Sequence, residues 1–101
     1  MRIRWTEPAA TALGEIQDYI ANENPRAAFE VAQRIRIAVS QLVEHPKSGR
    51  AGRVQGTHEL VVHKLPYIVA YRIKKEEVQI LSVYHTSRRW PEKFTLKNDS
   101  A

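Results

Sequence analysis

Two different hydrophobic periods divide this chain, and their order limits the folds open to it. Through residues 9–42 apolar side chains recur every three or four positions; from residue 58 to residue 86 they alternate or run continuously. The first pattern is one face of an α-helix, and the second is a strand buried on one or both sides. Thr6 reads as the N-cap of a first helix with Glu7 and Pro8 in its opening turn, and Ala9, Ala12, Leu13, Ile16, Tyr19 and Ile20 form its stripe. Asn22 to Asn24 breaks the pattern. Asn24-Pro25 restarts it, with proline in the first turn, where its missing N–H costs nothing. Ala28, Val31, Ile35, Ala38 and Leu42 carry the second stripe to His45-Pro46, because the residue before a proline avoids helical backbone. So short a connection predicts an antiparallel helical hairpin.

Ahead of the hairpin, Arg2-Ile3-Arg4-Trp5 alternates as a short strand would. After it, residues 46–57 hold three glycines and three cations, the composition of a flexible basic loop. Three strands are expected at His58 to Lys64, Tyr67 to Lys74 and Val78 to Thr86, with Lys74-Lys75-Glu76-Glu77 as a hairpin turn. Strict alternation places Tyr67, Val69, Tyr71 and Ile73 opposite Ile68, Ala70 and Arg72. It likewise places Val78, Ile80, Ser82, Tyr84 and Thr86 opposite Gln79, Leu81, Val83 and His85. Both faces of these two strands are largely apolar, so they belong in the middle of a sheet. The order β-α-α-β-β-β predicts an α+β fold: an antiparallel sheet with the N-terminal helical hairpin packed on one face.

The chain of 101 residues is one domain's worth. It has no cysteine, which excludes a disulfide scaffold and any zinc site with a thiolate ligand and makes the cytoplasm the default compartment. The longest uncharged stretches, such as Leu65 to Tyr71, fall far short of the ~18 residues of a membrane span, so no membrane partner is expected. Residues 1–45 hold five basic and six acidic side chains; residues 46–101 hold eleven basic and five acidic. The +5 net charge is therefore an excess on the second half, the half that would face a polyanion or an acidic partner.

Few motifs carry chemistry. His58 and His63 stand five residues apart on a strand, which puts them on opposite faces and rules out shared metal ligation. Gly49, Gly52 and Gly56 lack the Gly-Lys-Ser/Thr ending of a phosphate loop. Nothing implies a metal or another cofactor. Three features remain. Arg72 is a lone cation on an apolar strand, able to hold a phosphate. His85 ends the last strand, where an imidazole can serve as general acid or base. Lys47, Arg50, Arg53, Arg88, Arg89 and Lys93 would form a phosphate-binding rim if the loop and the C-terminal segment lie near the open sheet face. Trp5 and Trp90 read as packing residues.

With this element order, Gly49-Arg50-Ala51-Gly52-Arg53-Val54-Gln55-Gly56-Thr57, Pro66-Tyr67-Ile68-Val69-Ala70-Tyr71-Arg72-Ile73 and Val83-Tyr84-His85-Thr86-Ser87-Arg88-Arg89-Trp90-Pro91 resemble the RelE/ParE superfamily of type II toxin–antitoxin toxins. The likeness covers about residues 2–94. It implies a toxin domain over residues 1–95, followed by a flexible polar tail at 96–101, and a growth-inhibiting function. Superfamily members either cut mRNA on the ribosome without metal or poison DNA gyrase. Tyr84-His85 matches the Tyr-His of YoeB-like nucleases. The next position is Thr86, where those nucleases carry a catalytic Tyr, and their strand Arg matches Ile68. The ending Val83-Tyr84-His85 with Arg88-Arg89-Trp90-Pro91 looks closer to ParE-like toxins, which implies gyrase as the target. The alternative is a ribosome-dependent endoribonuclease with His85 as acid/base and Arg72, Arg50 and Arg53 on the phosphate. A further alternative, outside the resemblance, is a non-toxic nucleic-acid-binding module. The resemblance also implies a cognate antitoxin whose amphipathic C-terminal segment docks on the helical hairpin and the sheet edge.

Overall fold

The computed structural model describes residues 1–87. β1 (Arg2–Trp5) runs through Thr6 into α1 (Glu7–Ala21), which turns back into α2 (Pro25–Ser40). α2 tightens into a single 3-10 turn at Gln41–Val43, ahead of His45-Pro46. β2 (Arg50–Ala51), β3 (His58–Val61), β4 (Tyr67–Lys74) and β5 (Glu77–His85) complete a five-stranded sheet in the order β1-β5-β4-β3-β2.

The helices start where the capping residues stand. Thr6 Oγ accepts from the Ala9 N–H at 3.4 Å, and Asn24 Oδ1 accepts from the Ala27 N–H at 3.0 Å. Thr6 also binds the sheet. Its hydroxyl and its N–H both donate to the Ile80 carbonyl, at 2.6 and 3.1 Å, so one residue caps α1 and seats its first turn on β5. Between helices and sheet, Leu13, Ala32, Ile35, Val39 and Leu42 pack on Val69, Tyr71, Val78, Ile80 and Val83, all buried. Ile3 and Trp5 of β1 pack on the edge of the same core.

The fold is α+β as expected, but the sheet is mixed rather than wholly antiparallel. β1 pairs parallel with β5, Arg2 opposite Glu77 and Trp5 opposite Ile80. Tight turns fix the antiparallel directions of β3, β4 and β5. β1 reaches the sheet only through the helical hairpin, so no turn sets its direction. The loop contributes the short edge strand β2, antiparallel to β3.

The alternation expected for β5 does not run its full length. Tyr71 pairs with Ile80 while Ala70 pairs with Ser82, so Leu81 is an extra residue in a β-bulge. Directly opposed residues share a face. Val78 and Ile80, opposite Ile73 and Tyr71, therefore face the helices, whereas Ser82 and Tyr84, opposite Ala70 and Ile68, face away. Val83 and His85 cross to the helix side in exchange. A period-2 reading cannot see the switch, because one inserted residue shifts the phase of everything after it.

The β4–β5 turn sits where the Lys-Lys-Glu-Glu run predicts it. Lys75 and Glu76 have φ of 52° and 61°, the left-handed pair whose twist suits a two-residue hairpin. Neither residue is a glycine, so the turn carries backbone strain of about 1–2 kcal/mol per residue.

Candidate functional site

The sheet face turned away from the helices carries the polar chemistry. It begins with a buried carboxylate on β3. Glu59 of β3, with 9 % of its side chain exposed, accepts from Arg50 Nε at 3.0 Å and from the Tyr84 hydroxyl at 3.1 Å. Burial, and then the Glu59 charge and hydrogen bond, push the Tyr84 phenol up to about 12, against the opposing charges of Arg50 and Arg53. Tyr84 is thus a fixed donor at neutral pH. Ile68 and Ala70 lie beside it in a small apolar cluster.

Nearer the β4–β5 turn a second network crosses three strands. Arg72 Nε donates to Gln79 Oε1 at 2.7 Å, and Gln79 Nε2 donates to Glu77 Oε1 at 2.8 Å. Arg4 Nε reaches the same Glu77 oxygen at 3.1 Å, and Arg2 Nη2 lies 3.8 Å from Glu77 Oε2. The Gln79 hydrogen bond, followed by Arg4 and Arg2, holds the Glu77 carboxyl below its ordinary value despite some desolvation.

His85 is on the other side. Its ring meets Tyr67 edge-on at 5.4 Å, and its Nδ1 accepts the Ser87 N–H at 3.1 Å. With Tyr67 it borders a groove of about 700 Å³, closed on the far side by Ala12, Ile16 and Tyr19 of α1. By register Arg72 stands opposite Gln79, and His85 stands opposite Tyr67. Five residues of strand separate the two, about 17 Å at the usual rise, and they point to opposite faces. The fold therefore gathers Arg50, Arg53 and Arg72 toward one face and leaves His85 behind it. Exposed Lys47 lies in the loop between the 3-10 turn and β2; Arg88, Arg89, Lys93, Trp90 and the 96–101 tail lie outside the described residues.

The basic loop is tied down rather than flexible. The buried Tyr71 hydroxyl donates to the Pro46 carbonyl at 2.8 Å and accepts the Gly49 N–H at 2.9 Å. A Cβ at Gly49 would stand 2.7 Å from that hydroxyl and 2.9 Å from the Glu59 carbonyl oxygen, so only glycine fits there. Beyond β2, the Gly52 N–H donates to the Thr57 carbonyl at 2.8 Å, and the Thr57 N–H and hydroxyl both donate to the Val54 carbonyl. Arg50 and Arg53 are thus presented from a closed, braced turn. Composition alone missed Glu59, Gln79 and Tyr71. The signal was a polar group inside a largely apolar strand, which calls for a partner.

Among the described residues no three His, Asp or Glu side chains gather to hold a metal ion, and no helix is long and apolar enough to cross a membrane.

The sequence profile of the ParE toxin of the type II toxin–antitoxin system parDE matches residues 3–90. The chain belongs to the ParE toxin family. This ParE-family toxin is 48 % identical over 91 residues to a Sinorhizobium fredii protein named as toxin Y4kP, covering 90 % of the chain and 94 % of that relative. It is 34 % identical over 87 residues to toxin RelE2 of Caulobacter vibrioides, covering 86 % and 97 %. Its fold matches a chain of the chromosomal ParDE toxin–antitoxin system from P. aeruginosa with a TM-score of 0.78 and 31 % identity over 84 % of this chain and 95 % of that one. A chain of the RelBE2 toxin–antitoxin complex from Mycobacterium tuberculosis matches with a TM-score of 0.56 and 25 % identity, covering 83 % and 88 %. The chain is a type II toxin of the RelE/ParE superfamily.

Proposed function

We propose that this toxin arrests growth by poisoning DNA gyrase and is neutralised by a cognate antitoxin. The observation that carries the reading is the division of the sheet: the imidazole of His85 on the helix face, the cations Arg50 and Arg72 on the other. General acid–base cleavage of a phosphodiester needs a proton carrier within hydrogen-bond reach of the phosphate its cations hold. Here strand register keeps them apart. Membership of the ParE family points the same way. On this reading Lys47, Arg50 and Arg53 serve as contacts to the target rather than as a catalytic set. Purified toxin added to gyrase and relaxed plasmid is expected to block supercoiling or accumulate cleaved DNA. Full gyrase activity at saturating toxin would refute it.

Messenger RNA cleavage on the ribosome is the second reading. Two observations favour it: the likeness to a relative named RelE2, and the Tyr84–Glu59–Arg50 cluster, which sets a carboxylate and a guanidinium side by side on one face. Mapping transcript 5′ ends after brief expression separates the two. Codon-phased cuts would establish cleavage and displace the gyrase reading.

The two solved structures compared above come from toxin–antitoxin systems. An antitoxin segment with apolar side chains on one face suits the helical hairpin, where Tyr19, Phe29 and Ile37 stand exposed. Co-expression with an adjacent small open reading frame is expected to restore growth.

A further inference from the structure

Arg50 is held at both ends. Its backbone belongs to β2, directly opposite Glu59 in the antiparallel pair, so the two side chains leave the sheet on one face. The residue before it is fixed from the helix side, where the Gly49 N–H donates to the Tyr71 hydroxyl. At the far end of the side chain, Arg50 Nε donates to Glu59 Oε1 at 3.0 Å. Glu59 is itself anchored: it is buried, and its Oε2 accepts from the Tyr84 hydroxyl at 3.1 Å. A buried carboxylate on a central part of the sheet thus fixes the head of an arginine that stands on the edge strand.

The nitrogen that makes the bond decides what is left over. A guanidinium carries five N–H donors in a rigid plane, one on Nε and two on each Nη. The Glu59 bond is made at Nε, and the Nη1 and Nη2 groups of Arg50 make no hydrogen bond among the described residues. The Arg50 side chain is 61 % exposed although its partner is buried, so the unused end of the fork is open to solvent. A lysine brings a single nitrogen, which the buried carboxylate would draw to itself; arginine satisfies Glu59 and still presents a planar pair of donors. Glu59 also cancels much of the Arg50 charge. A contact that depended on charge alone would therefore be stronger without Glu59, whereas a contact that depends on aim would be weaker.

We propose that Glu59 is a positioning residue, which takes Arg50 by Nε and aims the Nη pair outward to grip an oxyanion of the toxin's target through two parallel hydrogen bonds. The inference rests on the reading that Arg50 contacts the target, and not on which target that is. Tyr84 holds the other oxygen of Glu59, so the carboxylate keeps its orientation when the loop meets its partner.

The test is the potency of the full chain. It is read as the inducer level that halves growth, and as the concentration of purified toxin that half-inhibits gyrase supercoiling. Thermal melts and immunoblots check folding and amount. Arg50→Lys keeps an ion pair with Glu59, so a merely structural role would leave potency intact; under the proposal it falls at least about tenfold. Glu59→Leu, which raises the net charge, is expected to lose a similar factor. Glu59→Gln retains an oxygen for Nε and is expected to stay within about threefold of wild type. Arg50→Lys/Glu59→Leu is expected to be no weaker than Glu59→Leu alone, because the two changes break one contact. Wild-type potency in Arg50→Lys, or in a folded Glu59→Leu, would overturn the proposal, and Arg50→Lys decides alone if Glu59→Leu melts below the assay temperature. Growth arrest with gyrase untouched and the variants ranked as above would refute the gyrase reading and support the positioning. Inhibited gyrase with all variants equal would do the reverse.

Discussion

Replacing Tyr71 by phenylalanine isolates the brace on the basic loop. The ring is fully buried among Ile35, Val39, Leu42 and Ile80 and stacks with His58 at 5.1 Å, so phenylalanine keeps the packing and removes only the hydroxyl. That hydroxyl makes two bonds, to Pro46 O at 2.8 Å and from Gly49 N at 2.9 Å. Both backbone groups belong to half-buried residues, so water can replace part of what is lost. Taking the lower end of the ~1–3 kcal/mol for each stranded group gives about 2 kcal/mol. In a domain of this size that lowers Tm by roughly 10 °C. In urea the midpoint should fall by about 1 M with no change in slope, because the surface exposed on unfolding is the same. Hydrogen exchange supplies the local readout: the Gly49 amide should lose protection while the Val69 and Val83 amides of the central strands keep theirs. The cost of Gly49→Ala should be smaller when combined with Tyr71→Phe, since the atom 2.7 Å from the new methyl group is gone. A stability loss under about 0.5 kcal/mol with Gly49 protection intact would refute the account.

The strained turn gives a change of opposite sign. Lys75→Asn with Glu76→Gly should stabilise the chain by about 1 kcal/mol, read as a higher urea midpoint, because those residues take the left-handed backbone at little cost. Tyr84 offers a test in alkali. Its pKa is raised by folding, so its contribution to stability is present below about 10 and lost as pH rises toward about 12. An absorbance titration of the folded protein should show this phenolate forming at about 12, and Glu59→Gln should bring it to lower pH by removing the neighbouring charge. In the core, Ile35→Ala should cost about 2–5 kcal/mol in the same denaturation assay, since the side chain is fully enclosed between α2 and the sheet.

Local signals were the legible part of this fold. Thr6 and Asn24 marked the helix starts because capping depends on a few consecutive residues. The apolar strands marked themselves as central for the same local reason, being covered on both sides. What stayed hidden was pairing. Nothing in Arg2-Ile3-Arg4-Trp5 says that its neighbour is Glu77–Ile80, and nothing at Leu81 announces a bulge. The candidate site depends on those hidden facts: the Arg4–Glu77–Gln79–Arg72 chain needs the parallel pairing, and the separation of Tyr84 from His85 follows from strand alternation once the bulge has set its phase. Arg50 and Arg53 were visible as charge, whereas Glu59, which holds Arg50, looked like one polar residue in an apolar run.

The pairing of β1 with β5 also has a consequence in time. During synthesis β1 must wait for β5, since Arg2 has no strand partner until Glu77 has been made. Such distant pairing is slow to close compared with the helical hairpin, whose contacts are local. A nascent chain stopped before β5 holds its helices without the strand that seats Thr6 and without Val78, Ile80 and Val83 of the core. A copy of the toxin cut off before β5 is therefore expected to leave growth unaffected, which expression of the chain ended at Glu76 would check.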